Sequence, residues 1–128
     1  MAKTMNGLTT RQRDELRSLL LDTRETLERS IRTKMANDAR LEADENIETI
    51  DRASHDQHHA VAFGVLDRES RLLEEIDAAL SKLAAGEYGL CEETLEPIGY
   101  PRLKALPWTR FSVAHVERTE LETGRRRV

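Results

Sequence analysis

The chain has 128 residues, of which 38% are hydrophobic, 34% charged and only 4% aromatic, and its formal net charge is −4. The length allows one domain, or one elongated helical region with a small head, and the charge argues against wholesale electrostatic binding to nucleic acid. There is no signal peptide and no apolar run long enough to span a membrane. The single cysteine excludes an internal disulfide, so we expect a cytoplasmic protein.

A first helix is predicted from Thr10 to about Arg40, after a flexible segment over residues 1–8. Thr9 and Gln12 have the spacing of a capping box. Mostly apolar residues then recur at steps of three and four, as in an amphipathic helix: Leu16, Leu20, Thr23, Leu27 and Ile31.

Residues 44–53 are predicted to be the turn between two long helices. From Leu41 to Asp51 there are five carboxylates and no basic residue. Ile47 and Ile50 also lie here, and a solvated turn alone does not call for two isoleucines. We therefore predict an acidic, partly apolar tip.

A second helix is predicted from the tip to Gly86, which suits the left-handed end of a helix. Its N-cap is predicted to be Ser54, in a capping box with Gln57, or alternatively Asp51. Its apolar seam has heptad spacing and one charged interruption, Glu69; the seam residues are Ala62, Leu66, Leu73, Ile76, Leu80 and Leu83. We expect this seam to pack antiparallel on the first helix of the same chain, in a monomer. The alternative is a coiled coil between two chains.

Residues 87–123 are predicted to form a compact head with a last helix from about Ser112. This segment holds all three prolines and four of the five aromatic residues: Pro97, Pro101, Pro107, Tyr88, Tyr100, Trp108 and Phe111. Residues 124–128 form a basic tail, which we interpret as a solvated terminus, with a phosphate or polymerase contact as the alternative.

Two motifs give the chain a resemblance to a known family. Residues 86–103 read GEYGLCEETLEPIGYPRL. This is similar to the head of the bacterial DksA/TraR family, which usually reads G-x-Y-G-x-C-x-x-C-G-x-x-I-x-x-x-R-L. Glu48, Asp51 and Ala53 resemble the family's tip motif, D-x-x-D-x-A. The resemblance extends from about Thr10 to Glu122 and implies a mainly α fold: a long antiparallel two-helix coiled coil with a small, degenerate zinc-finger-like head and a C-terminal helix.

The resemblance places the family's four zinc ligands at Cys91, Thr94, Ser112 and His115. Hydroxyl groups are poor ligands for structural zinc, so we expect no bound zinc and a head held by hydrogen bonds and packing instead. Cys91 is then either a buried remnant of a zinc site or an oxidant-sensing thiol.

The resemblance implies a transcription factor that binds RNA polymerase through its secondary channel and does not bind DNA specifically. The tip would alter open-complex stability at sensitive promoters, such as those of ribosomal RNA. Asp51 would be the main acting carboxylate, Glu48 its partner, and Ala53 would allow close approach. Capping of the second helix is the alternative role for Asp51. Arg68 matches an arginine that the family uses against polymerase, with an exposed surface charge as the alternative.

The family also binds the nucleotide ppGpp through basic side chains, whose positions here are matched by Glu75, Leu106 and Val116. We expect little ppGpp binding, although three nearby cations could compensate: Arg102, Lys104 and Arg110.

Three other interpretations are a metal site, an enzyme and a scaffold protein. His55, His58 and His59 could bind a metal, but a polar helix face is the simpler interpretation. The chain has no nucleophile–base pair and no phosphate-binding loop, so we do not expect an enzyme. The competing hypothesis is a coiled-coil scaffold or interaction protein that acts away from polymerase.

Overall fold

The computed structural model describes residues 6–43 and 49–126, with side chains at positions 6–40 and 56–123. These residues form four helices: α1 (Thr10–Ala43), α2 (Thr49–Ala85), α3 (Tyr100–Ala105) and α4 (Val113–Arg126). Within these ranges there is no β-strand, and a single antiparallel bridge joins Leu90 to Pro97. The predicted mainly α fold is confirmed. No helix in the described ranges is long and apolar enough to cross a membrane.

The chain divides into two compact units. One, called here the head unit, contains the described residues up to Asp22 together with those from Glu75 onwards. The other, called the hairpin unit, is Thr23–Glu74.

The start of α1 follows the sequence prediction. The Gln12 backbone amide donates to Thr9 Oγ1 at 3.1 Å, and the Thr9 backbone amide donates to Gln12 Oε1 at 3.0 Å. Two amides without partners inside the helix are thereby satisfied, which is the capping box that the spacing predicted.

The start of α2 corrects the sequence prediction. The backbone is already helical at Thr49, so Asp51 and Ser54 lie inside α2 and neither is its N-cap. An N-cap residue has non-helical backbone angles, so the capping role considered for Asp51 is removed.

The end of α2 is as predicted. Gly86 has φ 76°, in the left-handed region, and the Glu87 amide donates to the Lys82 carbonyl at 2.9 Å. Glycine reaches this conformation without the steric cost of a Cβ atom, so it ends the helix where the seam ends.

In the hairpin unit, α1 and α2 run antiparallel. The Ser30 hydroxyl on α1 donates to Glu69 on α2. Asp38 lies further along α1, and its Oδ1 atom is 3.4 Å from Nε2 of His59, which comes earlier in α2 than Glu69. The intrachain pairing predicted from the seam is therefore confirmed. The seam residues of this unit are half-buried, as expected for two helices without a third layer: Leu27, Ile31, Ala62, Leu66 and Leu73.

The head unit holds the fully buried core. It combines side chains of α1 and α2 with side chains of the segments that precede and follow them: Leu8, Leu16, Leu20, Ile76, Ala79, Tyr88, Cys91 and Leu103. A third layer on the two helices is what lets these residues lose contact with water, and their burial supplies the main driving force for folding here.

The predicted flexible lead over residues 1–8 is wrong for residues 6–8. Leu8 is buried, and Asn6 Nδ2 donates to the Tyr88 carbonyl at 2.8 Å. Gly89 leaves room for this segment, because a Cβ atom there would come within 3.2 Å of Leu8 Cδ1. Residues 6–8 lie outside the periodic apolar pattern that predicts α1. Their packing on the head is therefore visible only in the tertiary structure.

Glu69 forms a polar layer in the seam of the hairpin unit. Its Oε1 atom accepts hydrogen bonds from Ser30 Oγ, at 3.1 Å, and from Lys34 Nζ. Its Oε2 atom is buried and has no hydrogen-bond partner among the residues that the structure describes. A buried polar layer costs stability relative to an apolar one but can fix the register of paired helices.

We predict that Glu69→Leu raises the free energy of unfolding by about 1 kcal/mol, because it removes a poorly satisfied carboxylate from an apolar seam. Thermal unfolding followed by circular dichroism measures this change. Glu74→Leu, at an exposed position of α2, is the control and should leave the melting temperature nearly unchanged. A lower melting temperature for Glu69→Leu would show that the Ser30 and Lys34 contacts outweigh the cost of burial.

Candidate functional site

The predicted tip residues lie at the edge of what the structure describes. Glu48 is outside the described residues. Asp51 and Ala53 lie in the first turns of α2, and their side chains are outside the described set. The tip assignment therefore remains a prediction from the sequence motif.

Arg68 lies on an exposed face of α2 in the hairpin unit. Its neighbour Arg71 is paired with Asp67 at 3.2 Å, one helical turn away. Arg68 has no ion pair within the described part of the chain, so its guanidinium is available to an acidic group on a partner.

The Cys91 side chain is buried and surrounded by hydrogen-bond donors. Burial raises the pKa of the thiol, while hydrogen bonds from the Thr94 hydroxyl and from the backbone amides of Ser112, Thr94 and Glu93 lower it. The net result is a pKa of about 6, below the ordinary value of 9.0. Donors aimed at one sulfur atom stabilise a thiolate without a metal.

Thr94, Ser112 and His115, the other three positions that the resemblance assigns to zinc ligands, make contacts within the protein. Ser112 Oγ accepts a hydrogen bond from the His115 amide at 3.2 Å and so caps α4. The His115 ring lies 5.1 Å from the Phe111 ring, centroid to centroid. Thr94 Oγ1 accepts from the Glu96 amide at 3.4 Å.

This set of donors does not fit a structural zinc ion. Such sites take four cysteine or histidine ligands, whereas this chain offers one thiol, one imidazole and two hydroxyls. In the described residues, no group of three or more His, Cys, Asp and Glu side chains could hold a metal ion. His58 and His59 are among these described residues, whereas the side chain of His55 is outside the described set.

Glu92 joins the three segments that meet in the head. It accepts hydrogen bonds from Arg110 Nε at 2.9 Å and from Arg110 Nη2 at 2.7 Å, and it also pairs with Lys82 near the end of α2. Its amide donates to the Arg110 carbonyl at 2.9 Å. Hydrogen bonds from Arg110 and then from Lys82 lower the pKa of the Glu92 carboxyl, against a smaller opposing effect of burial.

Two further hydrogen bonds fix the loop that precedes α4. The buried Tyr88 hydroxyl donates to the Pro107 carbonyl at 2.7 Å, and Arg102 Nε donates to the Phe111 carbonyl at 3.0 Å. Neither these contacts nor those of Glu92 are predicted by the sequence. Their partners are far apart in the chain and have no periodic spacing, so no local signal marks them.

The cations that could have compensated for the missing ppGpp contacts are all engaged within the head unit. Arg110 forms an ion pair with Glu92, and Arg102 donates to the Phe111 carbonyl. Lys104 Nζ lies 3.9 Å from Glu15 Oε1 and 5.7 Å from the centroid of the Tyr100 ring. A phosphate group would have to displace these partners.

We predict that Glu92→Gln lowers the free energy of unfolding by about 1 kcal/mol at pH 7, because it weakens both charged contacts of a partly exposed carboxylate. The folded-state pKa of Glu92 is lowered from 4.5. Its stabilising effect is therefore complete above that value and is lost as pH falls through the lower folded-state pKa.

Thermal or urea unfolding of both proteins from pH 7 to pH 3 measures this contribution. Their difference should be constant above about pH 5 and shrink at lower pH. Glu93→Gln, at an exposed neighbouring position, is the matched control and should match the parent throughout. A difference between parent and Glu92→Gln that does not vary with pH would contradict the assignment.

We also predict that excess EDTA leaves the melting temperature of the protein unchanged, because contacts of Glu92, Tyr88 and Arg102 hold the head in place of a metal. Differential scanning calorimetry with and without EDTA checks this. The variant Thr94→Cys/Ser112→Cys, which restores two thiols, is the comparison and should gain zinc-dependent stability. A clear drop in the melting temperature of the parent in EDTA would overturn the prediction.

Comparisons with known proteins identify the family to which the chain belongs. Residues 86–114 match the family described as the prokaryotic dksA/traR C4-type zinc finger. Over 110 residues the chain is 36% identical to the RNA polymerase-binding transcription factor DksA of Caulobacter vibrioides, covering 86% of this chain and 77% of that protein. Over 61 residues it is 49% identical to general stress protein 16O of Bacillus subtilis, covering 45% of this chain and 36% of that protein.

The chain also matches the solved structures of similar proteins. Transcription factor DksA2 from Pseudomonas aeruginosa matches with a TM-score of 0.81 and 36% identity, over 89% of this chain and 87% of that one. A regulator from Chlamydia trachomatis, 22% identical with a TM-score of 0.53 over 91% of this chain and 95% of that one, shares the fold. The long match to DksA, together with the motif in the head, shows that the chain belongs to the DksA/TraR family.

Proposed function

We propose that this protein is a transcription factor that binds RNA polymerase through the secondary channel and alters the stability of open promoter complexes. The observation that carries the proposal is the 36% identity to a polymerase-binding factor across 86% of the chain. The antiparallel pairing of α1 and α2 in the hairpin unit supports it, because a paired helical hairpin is stiff enough to present a tip inside a channel.

Asp51 is the proposed acting group at the tip, with Glu48 as a second carboxylate and Ala53 as the small residue that allows close approach. Support comes from the position of α2. Because the helix begins at Thr49, Asp51 is not needed as its N-cap, which removes the main structural explanation for this carboxylate. Glu48 is one methylene longer than the aspartate in the usual motif.

Arg68 is the proposed contact of the hairpin with an acidic group of polymerase. Its exposure and lack of an ion pair within the described residues support this role. A cation that already had a partner would have to exchange one ion pair for another, with little net gain.

We propose that the protein acts without zinc and without ppGpp. The donor set at Cys91, Thr94, Ser112 and His115 supports the first statement. The second is supported by Glu75, Leu106 and Val116 at the matching positions, and by the engaged cations around them. We propose a monomer that makes no specific DNA contact and catalyses no reaction. The alternative, a coiled-coil scaffold acting away from polymerase, has no observation in its favour.

We predict that Asp51→Asn abolishes the effect of the protein on transcription from a ribosomal RNA promoter in vitro, while its affinity for core polymerase changes less than about threefold. The change removes the charge but keeps the size of the side chain. Run-off transcription measures the effect, and fluorescence anisotropy of the labelled protein measures the affinity.

Arg68→Ala should give the opposite pattern, with weaker binding by about three- to tenfold and an effect that returns at saturating protein, since an exposed ion pair contributes on the order of 1 kcal/mol. Arg71→Ala, whose parent side chain is paired with Asp67, is the matched control. If Asp51→Asn acts like the parent, the assigned role of the tip is wrong. If the parent does not bind polymerase, the proposed function is wrong.

A further inference from the structure

Leu95 combines two unfavourable features in the head unit. Its φ is 60°, in the left-handed region, and its side chain is 71% exposed to solvent. A residue other than glycine in this conformation costs roughly 1 kcal/mol or more, and the family pattern has glycine at this position. An exposed leucine gains nothing from burial in return. Folding alone therefore does not explain a leucine here.

The loop that presents Leu95 is held by its own backbone. The Leu95 amide donates to the Cys91 carbonyl at 2.8 Å, and the Cys91 amide donates to the Glu96 carbonyl at 2.8 Å. On either side, Leu90 and Pro97 form an antiparallel bridge. The side chain is thus projected from a fixed turn, and a partner would bind it with little loss of conformational entropy.

The surroundings of Leu95 are acidic. Glu93 and Glu96 are both exposed, and neither has an ion pair within the described residues. The neighbouring Glu92 differs, because Arg110 and Lys82 neutralise it. The exposed Leu95 side chain, with a carboxylate on either side, is complementary to an apolar pocket bordered by lysine or arginine side chains. The same charge disfavours an anionic membrane or a nucleic acid as the partner.

We propose that Leu95, with Glu93 and Glu96 beside it, is a docking surface of the head for a basic-rimmed apolar pocket on RNA polymerase. The inference rests on the proposed function and adds a second contact, separate from the hairpin unit. Leu95 is the buried anchor of this contact, and the two carboxylates set its orientation and its dependence on salt.

The test measures the affinity of purified core RNA polymerase for the full-length protein and three variants. Leu95→Ala should weaken binding about tenfold, the loss expected when most of a buried leucine side chain is removed. Leu121→Ala is the matched control, because Leu121 is similarly exposed, at 67%, but lies on α4. It should bind like the parent. Glu93→Gln/Glu96→Gln should bind more weakly at low salt and show a smaller dependence of affinity on salt.

A fourth variant, Leu95→Gly, separates docking from folding. It relieves the left-handed backbone strain, so its melting temperature should equal or exceed that of the parent, while its affinity falls as in Leu95→Ala. A lower melting temperature would assign Leu95 a structural role and overturn the inference.

The outcomes also separate this inference from the proposed function. If the parent binds polymerase and Leu95→Ala binds equally well, the docking surface is wrong and the proposed function stands. If Leu121→Ala weakens binding as much as Leu95→Ala, surface apolarity in general is responsible and the assignment to Leu95 fails. If the parent itself does not bind, the proposed function fails, and the docking surface on polymerase fails with it.

Discussion

The head of this protein depends on direct hydrogen bonds between segments that are far apart in the sequence. Glu92 is at their meeting point, since its side chain binds Arg110 and Lys82 and its amide donates to the Arg110 carbonyl. Each contact is modest, because the groups are partly exposed to water. Together they bring the loop after α2 and the loop before α4 into one fixed arrangement, on which the buried Tyr88 and Cys91 side chains depend.

The Cys91 thiol, at a position that the resemblance assigns to a zinc ligand, lies among hydrogen-bond donors. Backbone amides and the Thr94 hydroxyl still point at the Cys91 sulfur, and their hydrogen bonds offset the effect of burial on the thiol pKa. A zinc ion neutralises several thiolates at once, whereas hydrogen-bond donors can stabilise only the one that remains. Thr94 and Ser112 both contribute hydrogen bonds to the Cys91 sulfur, and the Ser112 hydroxyl also caps α4.

The hairpin unit is stabilised differently. Its seam is half-buried, and at Glu69 it contains a carboxylate that binds Ser30 and Lys34 but leaves one buried oxygen without a partner in the described part of the chain. A polar group in the seam of two paired helices can fix their register at a cost in stability. A defined register is what the proposed function requires, because it sets which residues α1 and α2 present at the tip.

The sequence by itself determined the helical part of this protein. Capping at Thr9 and Gln12, the seam spacing and the helix end at Gly86 are local or periodic signals, and they predicted α1, most of α2 and their antiparallel pairing. The motifs at Glu48, Asp51 and Ala53 and at residues 86–103 were sufficient to indicate the family. The start of α2 was misjudged, because several polar residues near the tip could each have capped a helix.

Only the tertiary structure decided how the head is held and which surface it presents. Burial of Leu8, the contacts of Glu92 with Lys82 and Arg110, and the left-handed backbone at Leu95 all depend on residues distant in sequence or on loop geometry. Periodicity does not encode such contacts, since they arise when irregular segments pack on a helical scaffold. The physical reason is that helix formation is governed by neighbours within about one or two turns, whereas the core of an irregular loop segment is specified by pairs of groups that meet only after folding.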